Sequence, residues 1–273
     1  MSDDAFLSFE LLGVAFSLSG NPGEMQRLLE TRYESLQRTR TRKDRRCSVT
    51  IQNREIGWEI TSDERTARVV PHADEALDLV DSCVIQGLMQ RRPELAYAHA
   101  GVVSVGGTGI ALPGLARTGK SLLVLALIQA GARFLSDELL ICDRLTREFM
   151  PFPMAIRLGE VGPAHFPDLV PHFHPLGNQR LISPRALGHD VVSESVPAST
   201  IVIPVWDPAQ PDELSPIPRA EALDHLLQTE IPASEPAPPE TPALTDTLAA
   251  VRTLTLRWRD PHSAATLLIE ALS

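Results

Sequence analysis

Residues Gly114-Leu115-Ala116-Arg117-Thr118-Gly119-Lys120-Ser121 have the types and spacing of a phosphate-holding loop, Gly-x-x-x-x-Gly-Lys-Ser. Glycine lets the backbone turn until successive N–H groups face one anion, and a helix N-terminus behind the loop adds a positive dipole end. In such a loop Lys120 reaches the β- and γ-phosphates, and the Ser121 hydroxyl is a ligand for Mg²⁺. Arg117 stands where many such loops carry another glycine, so it either forces the backbone to adjust or adds a cation. Downstream, Ser136-Asp137-Glu138 follows the short apolar run Arg133-Phe134-Leu135. An acidic pair at a strand end, after the helix of the phosphate loop, sits where a metal ligand or general base is wanted.

These residues need a strand before the loop and a helix after it. Val102–Val105 and Gly109–Leu112 read as two apolar strands around Gly106-Gly107-Thr108, a hairpin signal. Ser121 to Ala130 reads as a helix too apolar to have a wet face, closed by Gly131. Leu139–Cys142 continues as a further strand. Upstream, Ala5 to about Arg68 reads as a small α+β unit. It has strands at 6–11 and 14–18 around Gly13, a helix over 24–36, and a hairpin of 47–52 with 56–60. A second helix is expected over 73–91, with Leu77, Val80, Val84, Ile85 and Leu88 on one face.

The C-terminal part is plainer in places. Pro151 to Leu158 reads as extended, Gly162 to Gly177 as a loop rich in proline and histidine, and Ser199 to Val205 as a buried strand. A short helix over 219–228, a proline-rich connector over 232–242, a last strand over 253–258 and a closing helix over 261–272 complete the reading. The expected architecture is α/β, with a small α+β N-terminal unit at 1–92, able to dock a peptide, and a nucleotide-binding domain at 93–273.

Composition narrows the function classes. A formal net charge of −10 argues against general affinity for nucleic acid. The basic run Arg38 to Arg46 reads as a solvated loop or a contact for an anionic partner. No apolar run approaches the roughly 20 residues that span a bilayer, and the acidic start Met1–Asp4 lacks the pattern of a secretory leader. Cys47, Cys83 and Cys142 show no metal-ligand spacing and read as reduced thiols, consistent with a cytoplasmic location. His165, His172 and His174 lie between prolines without acidic or cysteine partners and read as solvent-facing. Arg157 and Arg180 are candidate phosphate contacts.

Taken together, His99-Ala100-Gly101-Val102-Val103, the loop Gly114–Ser121 and Phe134-Leu135-Ser136-Asp137-Glu138 resemble the HPr serine kinase/phosphorylase family of the phosphoenolpyruvate-carboxykinase-like group. The resemblance covers about residues 95 to 145. Pro151-Phe152-Pro153-Met154-Ala155-Ile156-Arg157-Leu158 is similar to the extended segment of the shorter members found beside peptide-modification genes. The family's second aspartate is Glu138 here, and Ala100 stands between His99 and Gly101.

By this resemblance the core is phosphoenolpyruvate-carboxykinase/HPr-kinase-like. Asp137 is the base that takes a substrate hydroxyl's proton, His99 tunes Asp137, and Glu138 sits at the metal with Ser121. The implied activity is an ATP- and Mg²⁺-dependent kinase acting on a serine or threonine hydroxyl of a peptide or protein. A homo-oligomer is compatible with this reading, and neither nucleic acid nor a membrane is an expected partner. The alternative is a non-catalytic, nucleotide-responsive module that docks a partner peptide. Without the resemblance, His99 reads equally well as a buried histidine satisfied by backbone groups.

Overall fold

The computed structural model describes residues 5–36, 45–114, 118–188, 191–231 and 243–272. Leu115, Ala116 and Arg117 of the expected phosphate loop lie outside them, as do most of the basic run and the proline-rich connector expected at 232–242.

Alternating apolar residues build the first sheet. In β1 (Ala5–Leu11) the side chains of Leu7, Phe9 and Leu11 are buried, and β2 (Val14–Asn21) returns antiparallel to it. The connection turns at Gly13, whose φ of +78° suits glycine. β3 (Arg46–Arg54) runs parallel to β2, followed by antiparallel β4 (Gly57–Ser62) and β5 (Arg65–Val70), in the order β1-β2-β3-β4-β5. A parallel neighbour requires a crossover, and α1 (Met25–Arg32) lies in it. This helix is shorter than the apolar spacing predicts, because the chain turns at Tyr33 and Leu36 is buried from a turn. α2 (Ala73–Arg91) matches its expected bounds and buries Leu77, Val80, Val84 and Leu88. Gly87 permits its close approach to β3, since a Cβ there would lie 2.4 Å from Cys47 Sγ.

The second sheet is mixed. It contains β6 (Leu95–Ala98), β7 (Ala100–Val105), β8 (Thr108–Pro113), β9 (Arg133–Ser136), β10 (Leu140–Asp143) and β11 (Glu148–Met150). Three short strands, β12 (Ile156–Leu158), β13 (His174–Leu176) and β14 (Gln179–Ile182), form a separate sheet in the order β12-β14-β13. The expected loop over 162–177 therefore holds structure of its own, including a helical turn at Gly162–His165 and a 3₁₀ turn at Pro167–His172. Its prolines limit these helices to short pieces.

The chain then re-enters the second sheet as β15 (Val196–Trp206), β16 (Glu213–Pro216) and β17 (Arg252–Trp258). The order is β6-β10-β11-β15-β8-β7-β9, with β17 on β15 and β16 on β17. β15 is longer than its buried centre suggests; its last residues, Val205 and Trp206, are exposed.

α3 (Lys120–Gln129) begins after Gly119, and its residues Leu123 to Ile128 are all buried. They share one cluster with Val103, Ile156, Val202, Leu256 and Trp258, and with Ala264, Ala265 and Leu268 of the closing helix Pro261–Leu272. Neighbours on several sides explain why this helix needs no polar face. The N-terminal cluster continues into Leu95, Tyr97, Leu139, Ile141, Phe152 and Met154, so apolar packing runs from the first sheet into the second. The fold is α/β with mixed sheets and helices on their faces. Among the described residues, no helix is long and apolar enough to cross a membrane. Cys47, Cys83 and Cys142 are buried free thiols, and burial pushes Cys47 and Cys142 each up to about 12.

Candidate functional site

The β7–β8 hairpin assembles the site. Ala100 pairs with Pro113 and Gly101 with Leu112, so the residue before β7, His99, comes level with Gly114 at the loop entrance. The Gly114 N–H donates to the His99 carbonyl at 3.5 Å. A Cβ on Gly101 would meet Val124 Cγ2 at 2.5 Å, so glycine there lets α3 lie close against β7. Gly119 caps α3 with φ of +79°, and a Cβ on it would lie 2.5 Å from the Trp258 ring. Conformation and space both demand glycine at this position.

β9 pairs with β7 on the side away from β8 and delivers Ser136-Asp137-Glu138 to the same end. The Leu139 N–H donates to Ser136 Oγ at 3.1 Å and tightens the turn that carries the two carboxylates.

His99 connects loop and acids. Its Nδ1 lies 2.9 Å from the Glu138 carbonyl, and its Nε2 lies 2.9 Å from Lys120 Nζ. A carbonyl only accepts, so Nδ1 carries the proton and Nε2 accepts from the lysine. Burial and then the Lys120 charge hold the His99 pKa below its ordinary value, which favours this neutral form. Lys120 also donates to the Gly114 carbonyl at 3.4 Å.

Asp137 is 3% exposed, and neither carboxylate oxygen has a hydrogen bond of normal geometry. Burial and the neighbouring Glu138 raise its pKa to about 6, against the opposing pull of Lys120, the nearby Ser121 hydroxyl and Arg32. No hydrogen bond joins His99 to Asp137 among the described residues; His99 meets Lys120 and Glu138. Glu138 lies 3.6 Å from His99 Nδ1 and 3.7 Å from Arg32 NH2 through its two carboxylate oxygens.

A cleft of about 540 Å³ opens over His99, Lys120, Ser121 and Glu138, and Asp137 is not among its walls. Thr118, Lys120, Ser121, Glu138, Arg157 and Gln179 are among its walls. Arg157 therefore reaches the cleft, whereas Arg180 donates to the Gln179 carbonyl at 2.7 Å and is not among the lining residues.

The spacing argument misses Arg32. It lies on α1, 1% exposed, and binds Asp81 through Nε at 3.0 Å and NH2 at 2.8 Å. It also donates to the Ala155 carbonyl. Tyr33 OH donates to Asp81 at 2.6 Å, and Arg157 NH2 does so at 2.7 Å. Burial alone would raise the Asp81 pKa, but Arg32 and Arg157 overcome it and hold the carboxyl below its ordinary value. A signal exists in the sequence: Arg32 follows Met25 and Leu29 in helical register, and Asp81 follows Leu77, so each charge occupies an apolar stripe.

Among the described residues, no cluster of three or more histidine, cysteine, aspartate or glutamate side chains is placed to hold a metal ion; what the site offers is a few oxygen donors. The Asp137 carboxylate oxygens are buried with the Ser121 hydroxyl beside them, and the Glu138 carboxylate is adjacent. All are hard oxygen donors, the kind Mg²⁺ takes.

No protein-family profile matches the chain, and no curated protein matches it by sequence. Among solved structures, the HPr(Ser) kinase/phosphatase from Coxiella burnetii is similar, with 15% sequence identity and a TM-score of 0.33. That similarity covers 64% of this chain and 93% of the other.

Proposed function

We propose that this chain is an ATP- and Mg²⁺-dependent phosphotransferase acting on a serine or threonine hydroxyl of a peptide or protein. The convergence of Lys120, Ser121, His99 and Glu138 on one cleft, with the buried Asp137 carboxylate next to Ser121, carries this reading. Gly114 to Ser121 cradles the phosphates through backbone N–H groups, and Lys120 leaves His99 to pair with the β- and γ-oxygens. Mg²⁺, held by Ser121 and Glu138, would neutralise charge on those oxygens when bound. Asp137 takes the proton of the acceptor hydroxyl. The hydroxyl oxygen forms its bond to the γ-phosphorus as the bond to the β–γ bridging oxygen breaks, and ADP departs. The N-terminal unit, residues 1–92, offers the docking surface for the peptide.

A second reading is a nucleotide-responsive binding module without catalysis. The burial of Asp137 at 3% exposure favours it, because a general base must reach its proton.

Transfer of radiolabelled γ-phosphate from ATP to serine and threonine peptide arrays separates the two. The kinase reading expects labelling by the native chain and none by Asp137→Asn. ATP binding with no labelled acceptor, and no change in Asp137→Asn, would establish the binding module instead. Lys120→Ala should abolish nucleotide binding; tight binding in that variant would remove the loop assignment itself.

A further inference from the structure

We infer that Arg157 is a second cation for the donor's phosphate chain, held back by Asp78 until an anion enters the cleft; this rests on the reading of the cleft as a phosphate site. Among the described residues, two cations line it: Lys120 at the start of α3 and Arg157 on β12. Glu138 sets one carboxylate against them. A chain of phosphates carries several negative charges, and a guanidinium is suited to grip one of them with two N–H groups.

Arg157 also lines a smaller cavity of about 220 Å³, which shares His99 and Glu138 with the cleft and runs to Asp78, Asp81 and Ser82 of α2. The guanidinium thus borders both spaces, and its partners hold it unequally. Its NH2 donates to Asp81 Oδ2 at 2.7 Å, but that oxygen already takes Arg32 Nε at 3.0 Å and Arg32 NH2 at 2.8 Å. A carboxylate oxygen offers about two lone pairs, so three N–H groups compete there. Arg32 is fixed, since it is 1% exposed and also donates to the Ala155 carbonyl. Tyr33 satisfies the other Asp81 oxygen. Arg157 is the donor that can leave.

Its remaining tie is the pair of NH1 with Asp78, whose side chain is 63% exposed. A pair that open to water holds weakly. The Arg157 Nε is buried without a hydrogen-bond partner, so the present arrangement leaves one of its donors unsatisfied. A phosphate in the cleft replaces the two aspartates with a single acceptor that a guanidinium can grip through two parallel hydrogen bonds. Asp78 therefore competes with the phosphate chain for Arg157.

Calorimetric titration with magnesium tripolyphosphate tests this at about 0.15 M salt, where exposed charges more than about 8 Å apart are largely screened. The native chain is compared with Asp78→Asn, Arg157→Met and the double variant. Asp78→Asn should bind about 3- to 5-fold more tightly, because the competitor for the guanidinium is gone. Arg157→Met should bind about 10-fold more weakly. In the double variant the gain should vanish, leaving the affinity of Arg157→Met alone. Unchanged affinity in Asp78→Asn overturns the inference; Asp78 is exposed, so this variant decides even if Arg157→Met folds poorly. An equal gain from Asp78→Asn with and without Arg157 overturns it too, as the distant effect of a lost negative charge. If Lys120→Ala abolishes binding while Asp78→Asn and Arg157→Met leave it unchanged, the phosphate site stands and Arg157 has no part in it. If the native chain binds no tripolyphosphate, the phosphate site fails and this inference with it.

Discussion

Lys120 Nζ lies 2.9 Å from His99 Nε2, and that contact ties the first residue of α3 to the residue that precedes β7. A protonated imidazole could not accept from the ammonium, so the contact needs the neutral ring. The His99 pKa lies below its ordinary 6.5, first through burial and then through Lys120. The unfolded chain therefore binds this proton more readily, and the His99 contribution to stability is present above pH 6.5 and lost as pH falls below it. In urea titrations the gap between native and His99→Gln should shrink on moving from pH 8 to pH 5. A gap that widens toward low pH would contradict the assigned tautomer.

Asp137 has the opposite linkage. Its pKa is raised to about 6 from 3.8, so its penalty is absent at low pH and grows as pH rises through that window. Asp137→Asn should therefore stabilise the chain by up to about 3 kcal/mol at pH 8 and by little at pH 4. Denaturant midpoints at the two values check this. The same variant should lose phosphoryl transfer by about 10²- to 10⁴-fold. In the native chain kcat/KM should rise with pH through about 6, as the carboxylate forms.

The Asp81 carboxylate is shared by Arg32, Tyr33 and Arg157, all deeply set. Removing its charge leaves Arg157 with Asp78 and Arg32 with the Ala155 carbonyl and Glu138, so Asp81→Asn should cost about 3 kcal/mol, the low end for a broken buried pair, in chemical denaturation. Arg32→Met and Asp81→Asn together should cost less than the sum of the two single changes. Strict additivity would show that the network is not coupled.

Two glycines with positive φ separate strain from crowding. Gly106 has φ of +58° with nothing within 4 Å of an added Cβ, whereas Gly119 at +79° has the Trp258 ring at 2.5 Å. Both alanine variants pay the left-handed backbone cost. Gly119→Ala should lower stability by about 1–3 kcal/mol more than Gly106→Ala, the added cost of overpacking, and should weaken tripolyphosphate binding. Equal losses would mean that Trp258 yields freely.

The apolar helix after Gly119 and the β7–β8 hairpin are both legible in the sequence, because each is encoded by neighbours along the chain. Glycines sit where the backbone turns, and an apolar run from Leu122 to Ile128 announces a helix buried on several sides. The strands that escape notice, such as β6, β11 and β14, are three or four residues long and take their form from ladder partners far away in sequence.

The site divides in the same way. Sequence alone singled out Lys120, Ser121, Asp137 and Glu138, by type and spacing, as the candidates for phosphate chemistry. Tertiary structure alone decided what each one faces. The hairpin register sets His99 against Lys120, α1 brings Arg32 to Glu138, and burial leaves Asp137 with a raised pKa. Local patterns record turns and faces, but contacts and desolvation depend on segments more than a hundred residues apart, as when Arg32 meets Ala155.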